Sequence, residues 1–487
     1  MINYLKKIFS IVGKPIFLLI ITIFIHLIFV ENYPVSVEFA FIDFAKYYED
    51  YNKLILKDFI NVQANTIVFS YIIFLFDQLF IIKNYLIAGR LLSVLSYIFI
   101  YFGILNFINF FKINLVNFFL LVLVLFLNPI IWIYGFKVTA DLLPASLCFF
   151  GISQIFTKKN IIYKILISSF FVSLASLMKP MFLAIVVLGS LLINYFNFNK
   201  DIKLRIFYLV LYNFFPFFTV GLYFYWSFIN FGYVLSSLSN NYFDYNLFNF
   251  FSKFLYYLGI TFIFTLPFSI LDFNFKILKE YKFYFTFLIF LFFVGYNNSF
   301  FPGELNLGNF FIINENILRG FYFLSSGLLL FHFYLSLKKC NYNKVYLFII
   351  ISFLCYIFAL SFFRPTQRYL MLFIPFLYAI NILIKKENKK FYYCYFIFII
   401  LFLLINICLT TYSYFRSMNA FKTIDYLINN SIVQVTKPGP LIDSYNFYLH
   451  DQVDKKYQIS LQKPEKYIKE FSSGFLFFKI NYYLSKV

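Results

Sequence analysis

Apolar runs close to the length of a bilayer crossing recur along most of this chain, and the loops between them sort positive charge onto alternate sides. A spanning helix needs about 20 apolar residues, and runs of that kind predict about thirteen spans. They fall near 15–31, 90–111, 115–134, 140–157, 161–178, 181–197, 206–229, 254–275, 283–297, 318–337, 345–363, 369–384 and 392–412. Basic clusters recur at Lys6/Lys7/Lys14, Lys112, Lys158/Lys159/Lys164, Lys200/Lys203/Arg205, Lys276/Lys279/Lys282, Lys338/Lys339/Lys344 and Lys385/Lys386/Lys389/Lys390. These 20 Lys and Arg stand against four acids, Asp201, Asp272, Glu280 and Glu387. The positive-inside rule makes those loops cytoplasmic. The other loops balance 11 basic with 11 acidic residues, and the segment after the last run carries 10 and 6. That face is outside, so the amino end is cytoplasmic and the carboxyl end extracytoplasmic.

A hydrophobic content of 62% with 13% charged residues excludes a soluble domain of this length. The net charge of +20 comes mainly from the cytoplasmic loops, so membrane orientation accounts for it without a nucleic-acid partner. The first run, Ile16 to Val30, ends in ENYPVS without a small-residue cleavage pattern and reads as an uncleaved helix. The cysteines form no CxxC pair, which argues against a structural zinc site, and the tail has none. Thr66 to Ile82 is apolar enough to span but carries Asp77 and Gln78. If it crossed, every later basic cluster would face outward, so it is expected to be re-entrant or interfacial. Two domains are expected: a transmembrane unit over 1–412, and a small extracytoplasmic α/β tail over 413–487. In the tail, FKTIDYLINN reads as helix and SIVQV and FLFFKI as strands.

Chemistry is expected where carboxylates and cations meet outside. The long first outer loop reads VEFAFIDFAKYYEDYNKLILKDF. In a helix, Asp43, Lys46, Tyr47 and Asp50 share one face. A solvated amphipathic segment has the same pattern. A second carboxylate, Asp141 in NPIIWIYGFKVTADLLPASL, stands where a helix begins, and capping alone would account for it. The outer cations that stand out are Lys179 in LMKP and Arg364 and Arg368 in FFRPTQRYLMLFIP. Each suits an interfacial anchor, and together they suit a phosphate leaving group, which guanidinium donors fit in a fork. His26, His332 and His450 have no metal-ligand spacing.

The order of these features resembles that of the GT-C glycosyltransferases, in particular the lipid A aminoarabinose transferases and the relatives of the protein O-mannosyltransferases. The segments that carry it are IDFAKYY, AGRLLSVLSYIFIYFGI, NPIIWIYGFKVTADLLPASLCFFGI, SLASLMKP and RYLMLFIPFLYAI, followed by a final helix and an outer tail. The resemblance implies an all-α polytopic fold in a bacterial inner membrane and inverting transfer of a sugar from a polyprenyl-phosphate donor to a lipid, glycan or protein acceptor. Asp43 then takes the place of the catalytic base and Asp141 that of the second acidic position, where it orients the acceptor or a divalent cation. Tyr47, Lys179, Arg364 and Arg368 are the candidate substrate-binding residues, and Lys179 and Arg368 approach the donor phosphate. The sequence departs from the family in having Asp43-Phe44 where the mannosyltransferase branch has Asp-Glu, and VQANTIVF in place of a His-Pro-Pro element. The principal alternative is a lipid-linked-sugar flippase or another transporter, which typically places ionisable residues near the bilayer midplane.

Overall fold

The computed structural model describes residues 15–30, 38–48, 67–112, 115–231, 246–269, 281–298, 314–339, 343–362, 366–384, 389–429, 457–460, 469–473 and 480–486. Its architecture is all-α except for the tail. Helices α1 (Pro15–Ile28), α2 (Glu38–Tyr47), α3 (Val68–Phe80), α4 (Tyr85–Phe111), α5 (Leu115–Phe126), α6 (Pro129–Tyr134), α7 (Leu142–Ser153) and α8 (Ile161–Met178) form the first half. Then come α9 (Ile185–Phe196), α10 (Ile202–Phe231), α11 (Leu247–Ser269), α12 (Lys282–Tyr296), α13 (Glu315–Lys339), α14 (Lys344–Leu360), α15 (Ile374–Ile384) and α16 (Lys389–Asn429). Among the described residues, six helices are long and apolar enough to cross a membrane, and six shorter apolar helices accompany them. With 27 residues, α4 is about 40 Å long at 1.5 Å per residue and exceeds the roughly 30 Å hydrocarbon core.

Packing runs in two series. In one, α4 lies on α7, α7 on α8 and α8 on α10; in the other, α11 lies on α13 and α13 on α12. Helix α15 joins them by touching α4 and α5 on one side and α11, α13 and α14 on the other. The second series is close-packed at backbone level, because a Cβ on Gly259 of α11 would overlap the Tyr322 carbonyl oxygen of α13. Helix α10 instead exposes Phe207, Val210, Phe214, Phe217 and Tyr225, an apolar face suited to lipid.

Two expected spans are interrupted. The run at 115–134 divides into α5 and α6 because Pro129 lacks a donor and begins a new helix, with the Asn128 side chain accepting from the Ile130 amide at 3.1 Å. A broken helix at membrane depth must satisfy its freed backbone groups. Here Asn406 of α16 donates to the Leu127 carbonyl at 2.8 Å. Asn128 donates to the Phe264 carbonyl at 3.1 Å and to the Tyr378 hydroxyl at 3.0 Å, so the break is tied to α11 and α15. The run at 369–384 likewise begins as a 3-10 turn, Gln367–Leu372, before α15.

Helix α3 is 13 residues long, about 20 Å, and falls short of a full crossing. Ile81 closes it in the left-handed conformation, and the Asp77 carboxylate accepts from the Asn84 amide at 2.8 Å. The acid that makes this run awkward as a span therefore holds the turn into α4. Helix α16 continues unbroken from 412 to 413 and runs to Asn429, so the first part of FKTIDYLINN is helical as expected. SIVQV lies outside the described residues, as does FLFFKI apart from Ile480. Strands β1 (Tyr457–Ser460), β2 (Lys469–Ser473) and β3 (Ile480–Lys486) form an antiparallel sheet in the order β1-β3-β2. The end of α16 packs on it, with Tyr426 against Phe471 and Lys422 donating to the Ser472 carbonyl at 3.1 Å.

Candidate active site

Three turns at the ends of apolar helices converge. The first is the α6–α7 hairpin, which ends at Asp141. Trp132 of α6 donates its indole N–H to Thr410 of α16 at 3.0 Å, and Ser93 of α4 donates to the Lys137 carbonyl at 2.6 Å. The second turn follows α8. Its last-turn bond, from the Lys179 amide to the Ala175 carbonyl at 3.0 Å, completes the helix, and Pro180 then stops it and starts a 3-10 segment. The third is the 3-10 turn that carries Arg368. Tyr257 of α11 accepts from the Thr366 amide at 3.1 Å, and Tyr356 of α14 donates to the Tyr369 carbonyl at 3.0 Å.

Asp141 and Lys179, each with only 2% of its side chain exposed, form a direct ion pair. Arg368 approaches the other carboxylate oxygen of Asp141 at 3.7 Å and is 23% exposed. Although Asp141 occupies the position before α7, its side chain makes no capping hydrogen bond. Capping is therefore not what this carboxylate does. It is committed to two cations. The Lys179 ammonium also stands 4.6 Å from the centre of the Tyr369 ring.

Among the described residues, the field of this site is positive. Burial works to raise the Asp141 carboxyl, but Lys179 and Arg368 outweigh it and hold the group below its ordinary range. Burial lowers the Lys179 ammonium to about 8 despite its pairing with Asp141. Burial likewise lowers Lys137 to about 8, reinforced by the charges of Arg416, Arg368 and Arg90 and opposed by Glu38. Five cations thus face the two described carboxylates. That surplus suits an anion such as a phosphate. It does not suit a divalent cation at Asp141, whose two oxygens already face Lys179 and Arg368. Among the described residues, no three His, Cys, Asp or Glu side chains are grouped to hold a metal.

Of the sequence candidates, Asp141, Lys179 and Arg368 come together. Arg364 lies outside the described residues. Asp43 and Tyr47 fall on α2, but their side chains lie outside the described part of that helix. Sequence reasoning missed Lys137 and Arg416 as members of this charge group. Lys137 lies four residues before Asp141 in the same motif, a spacing that could have flagged it; Arg416 gives no local signal. His26 packs between the Tyr97, Trp132 and Phe136 rings, with its Nε2 3.0 Å from the Tyr97 hydroxyl.

No model of a known protein family matches the chain, and no curated protein matches it. Among solved structures, it is similar to ArnT from Cupriavidus metallidurans bound to undecaprenyl phosphate, with 12% identity and a TM-score of 0.47 over 90% of this chain and 74% of that one. The same protein in its apo state gives 11% identity and a TM-score of 0.45 over 88% and 73%.

Proposed function

We propose that the protein is an integral membrane glycosyltransferase of the GT-C kind, moving a sugar from a polyprenyl-phosphate carrier to a hydroxyl of a lipid, glycan or protein acceptor on the extracytoplasmic face. The observation that supports this reading best is the buried, net-positive group in which Lys179 and Arg368 converge on Asp141.

The charge bookkeeping of the reaction fits that group. A polyprenyl-phosphate sugar is a phosphodiester with one negative charge. As the bond between the anomeric carbon and the phosphate oxygen breaks, the electron pair stays on that oxygen, and the leaving polyprenyl phosphate gains a second charge. The acceptor oxygen bonds to the anomeric carbon from the opposite face, inverting it, and its proton passes to the Asp43 carboxylate. Fixed cations aimed where charge develops stabilise the transition state more than the ground state. Asp141 keeps Lys179 and Arg368 in place, and Tyr47 and Arg364 complete the donor contacts. A phosphate that leaves ionised needs no proton from a general acid. Nucleotide sugars are cytoplasmic, so chemistry on the outer face calls for a lipid-linked donor.

Purified protein in lipid nanodiscs, supplied with radiolabelled polyprenyl-phosphate sugars and with lipid, glycan or peptide acceptors, should form glycosylated acceptor and release polyprenyl phosphate in equal amounts. In proteoliposomes, passage of the labelled lipid across the bilayer without product would favour the flippase. Neither activity would remove both readings.

A further inference from the structure

The first outer helix is joined to the α6–α7 hairpin by an ion pair separate from the contacts that Asp141 makes with Lys179 and Arg368. Glu38, the first residue of α2, is 1% exposed, and Arg90 of α4 is 4% exposed. The two meet as fork on fork: Arg90 Nε donates to Oε1 and Nη2 to Oε2, each at 3.2 Å. Glu38 Oε1 also accepts from the Val138 amide of the hairpin at 2.9 Å. Arg90 Nη1 reaches the opposite way, to the Val30 carbonyl after α1 at 2.9 Å. One turn further along α4, Ser93 holds the Lys137 carbonyl at 2.6 Å. Both sides of the 137–138 peptide are therefore fixed, from α2 and from α4, three residues before Asp141.

Adhesion does not require this pair. Phe41, Ile42 and Ala45 of α2 are buried, and Phe41 packs edge-on against Phe69 of α3 at 5.3 Å. Apolar contacts hold a helix against its neighbour but leave it free to slide or rotate. A bidentate pair with a third donor fixes direction. Glu38 precedes Asp43 by five residues, about 7.5 Å along the helix axis.

We infer that Glu38 and Arg90 are positioning residues whose ion pair sets the placement of the first-loop helix relative to the hairpin that carries Asp141. The catalytic part of this inference rests on the proposed transfer reaction; the mechanical part does not. Neither residue touches substrate. Glu38 acts through Asp43 and through the 137–141 turn, and Arg90 acts through Glu38.

The test has two arms on the full-length protein in nanodiscs. In the first, amide hydrogen exchange is followed over residues 134–141 and 36–48 for wild type, Glu38→Gln and Arg90→Lys. Faster exchange in both segments, with unchanged exchange in α11 and α13 and a thermal midpoint lowered by the charge left buried without its partner, is expected; unchanged exchange around 138 would overturn the latch, as would a collapse of protection throughout the protein. In the second, Glu38→Gln and Arg90→Lys should each lower kcat by about 10²-fold, the effect of roughly 1 Å misplacement, with donor KM altered less than threefold. Their double variant should be no slower than the worse single, because both changes break one pair. Wild-type kcat in both single variants, or losses that multiply, would overturn the positioning role. A latch that loosens in the first arm, while wild type transfers no sugar in the second, would instead reject the proposed reaction.

Discussion

Lys179 gives the proposed site a pH signature. An ammonium with a pKa of about 8 is roughly nine-tenths charged at pH 7 and one-tenth charged at pH 9. If the charged form stabilises the departing phosphate, kcat/KM for the lipid donor should fall about tenfold between those values, with a slope of one proton. Unfolding would not produce this fall. In the unfolded chain the group returns to its ordinary 10.5, so between about pH 8 and 10.5 the unfolded state binds the extra proton. Stability from this group therefore rises with pH in that window; the cost of burying the ammonium is fully present below pH 8 and fades as the lysine deprotonates. Lys179→Arg should abolish the alkaline limb, since guanidinium stays charged, at a lower plateau because the compact buried seat does not fit it. Asp141→Asn removes an opposite charge in direct contact, worth roughly 1–3 pKa units or about 1.4–4 kcal/mol, and should move the limb down to about pH 5–7. Lys137 also lies near 8, so Lys137→Arg is the control and should leave the limb in place. Initial rates from about pH 4.5 to 10 in nanodiscs would measure all four proteins. A flat wild-type profile to pH 9.5, or a limb retained in Lys179→Arg and lost in Lys137→Arg, would refute the assignment.

Other outcomes follow from the same architecture. Asp43→Asn should lower transfer by about 10² to 10⁴ with normal membrane insertion, and Asp50→Asn should be mild; wild-type rates in Asp43→Asn would eliminate it as the base. Arg368→Ala should raise donor KM and lower kcat while the Asp141–Lys179 pair keeps the fold intact, and equal kinetics in variant and wild type would detach Arg368 from the donor. Gly259→Ala should lower the thermal midpoint in detergent, because its Cβ would meet the Tyr322 backbone rather than a flexible side chain; an unchanged midpoint would mean that α11 and α13 separate easily. Cysteines placed at Lys159 and Ser444 in a cysteine-free background should label in intact cells only at 444; the reverse pattern would invert the topology.

The helices were legible in the sequence because bilayer length and apolar content are local properties. The breaks within them were less so. Pro129 marks one, but what makes it tolerable is distant: Asn406, Phe264 and Tyr378 satisfy the groups at Leu127 and Asn128 from three other helices. Asp77 shows the opposite case. Its charge argues against a crossing, and the helix is short, yet the carboxylate's partner, the Asn84 amide, lies only seven residues away at the turn into α4. A polar residue inside an apolar run therefore gives warning of irregular backbone before it gives warning of chemistry.

For the site, residue type was legible but connection was not. Lys179 and Arg368 stand out because basic residues are fewer in the loops that alternate with the basic clusters, and Asp141 because it heads a helix in such a loop; these three do meet. The sequence left capping open for Asp141 because the residue before a helix favours Asp in any protein. Only the approach of Lys179, 38 positions away, and of Arg368 to the other oxygen decides that both are already engaged. Glu38 and Arg90 were both in view, one as an acid in a charged loop and the other as the head of a span. Their pairing across 52 positions depends on how α2 folds back against α4. Charge in a membrane protein of this kind is costly wherever it is buried, so buried ions occur in compensated groups. Each group then exerts its directional hold on the backbone segments it joins, and here those segments carry the residues of the proposed reaction.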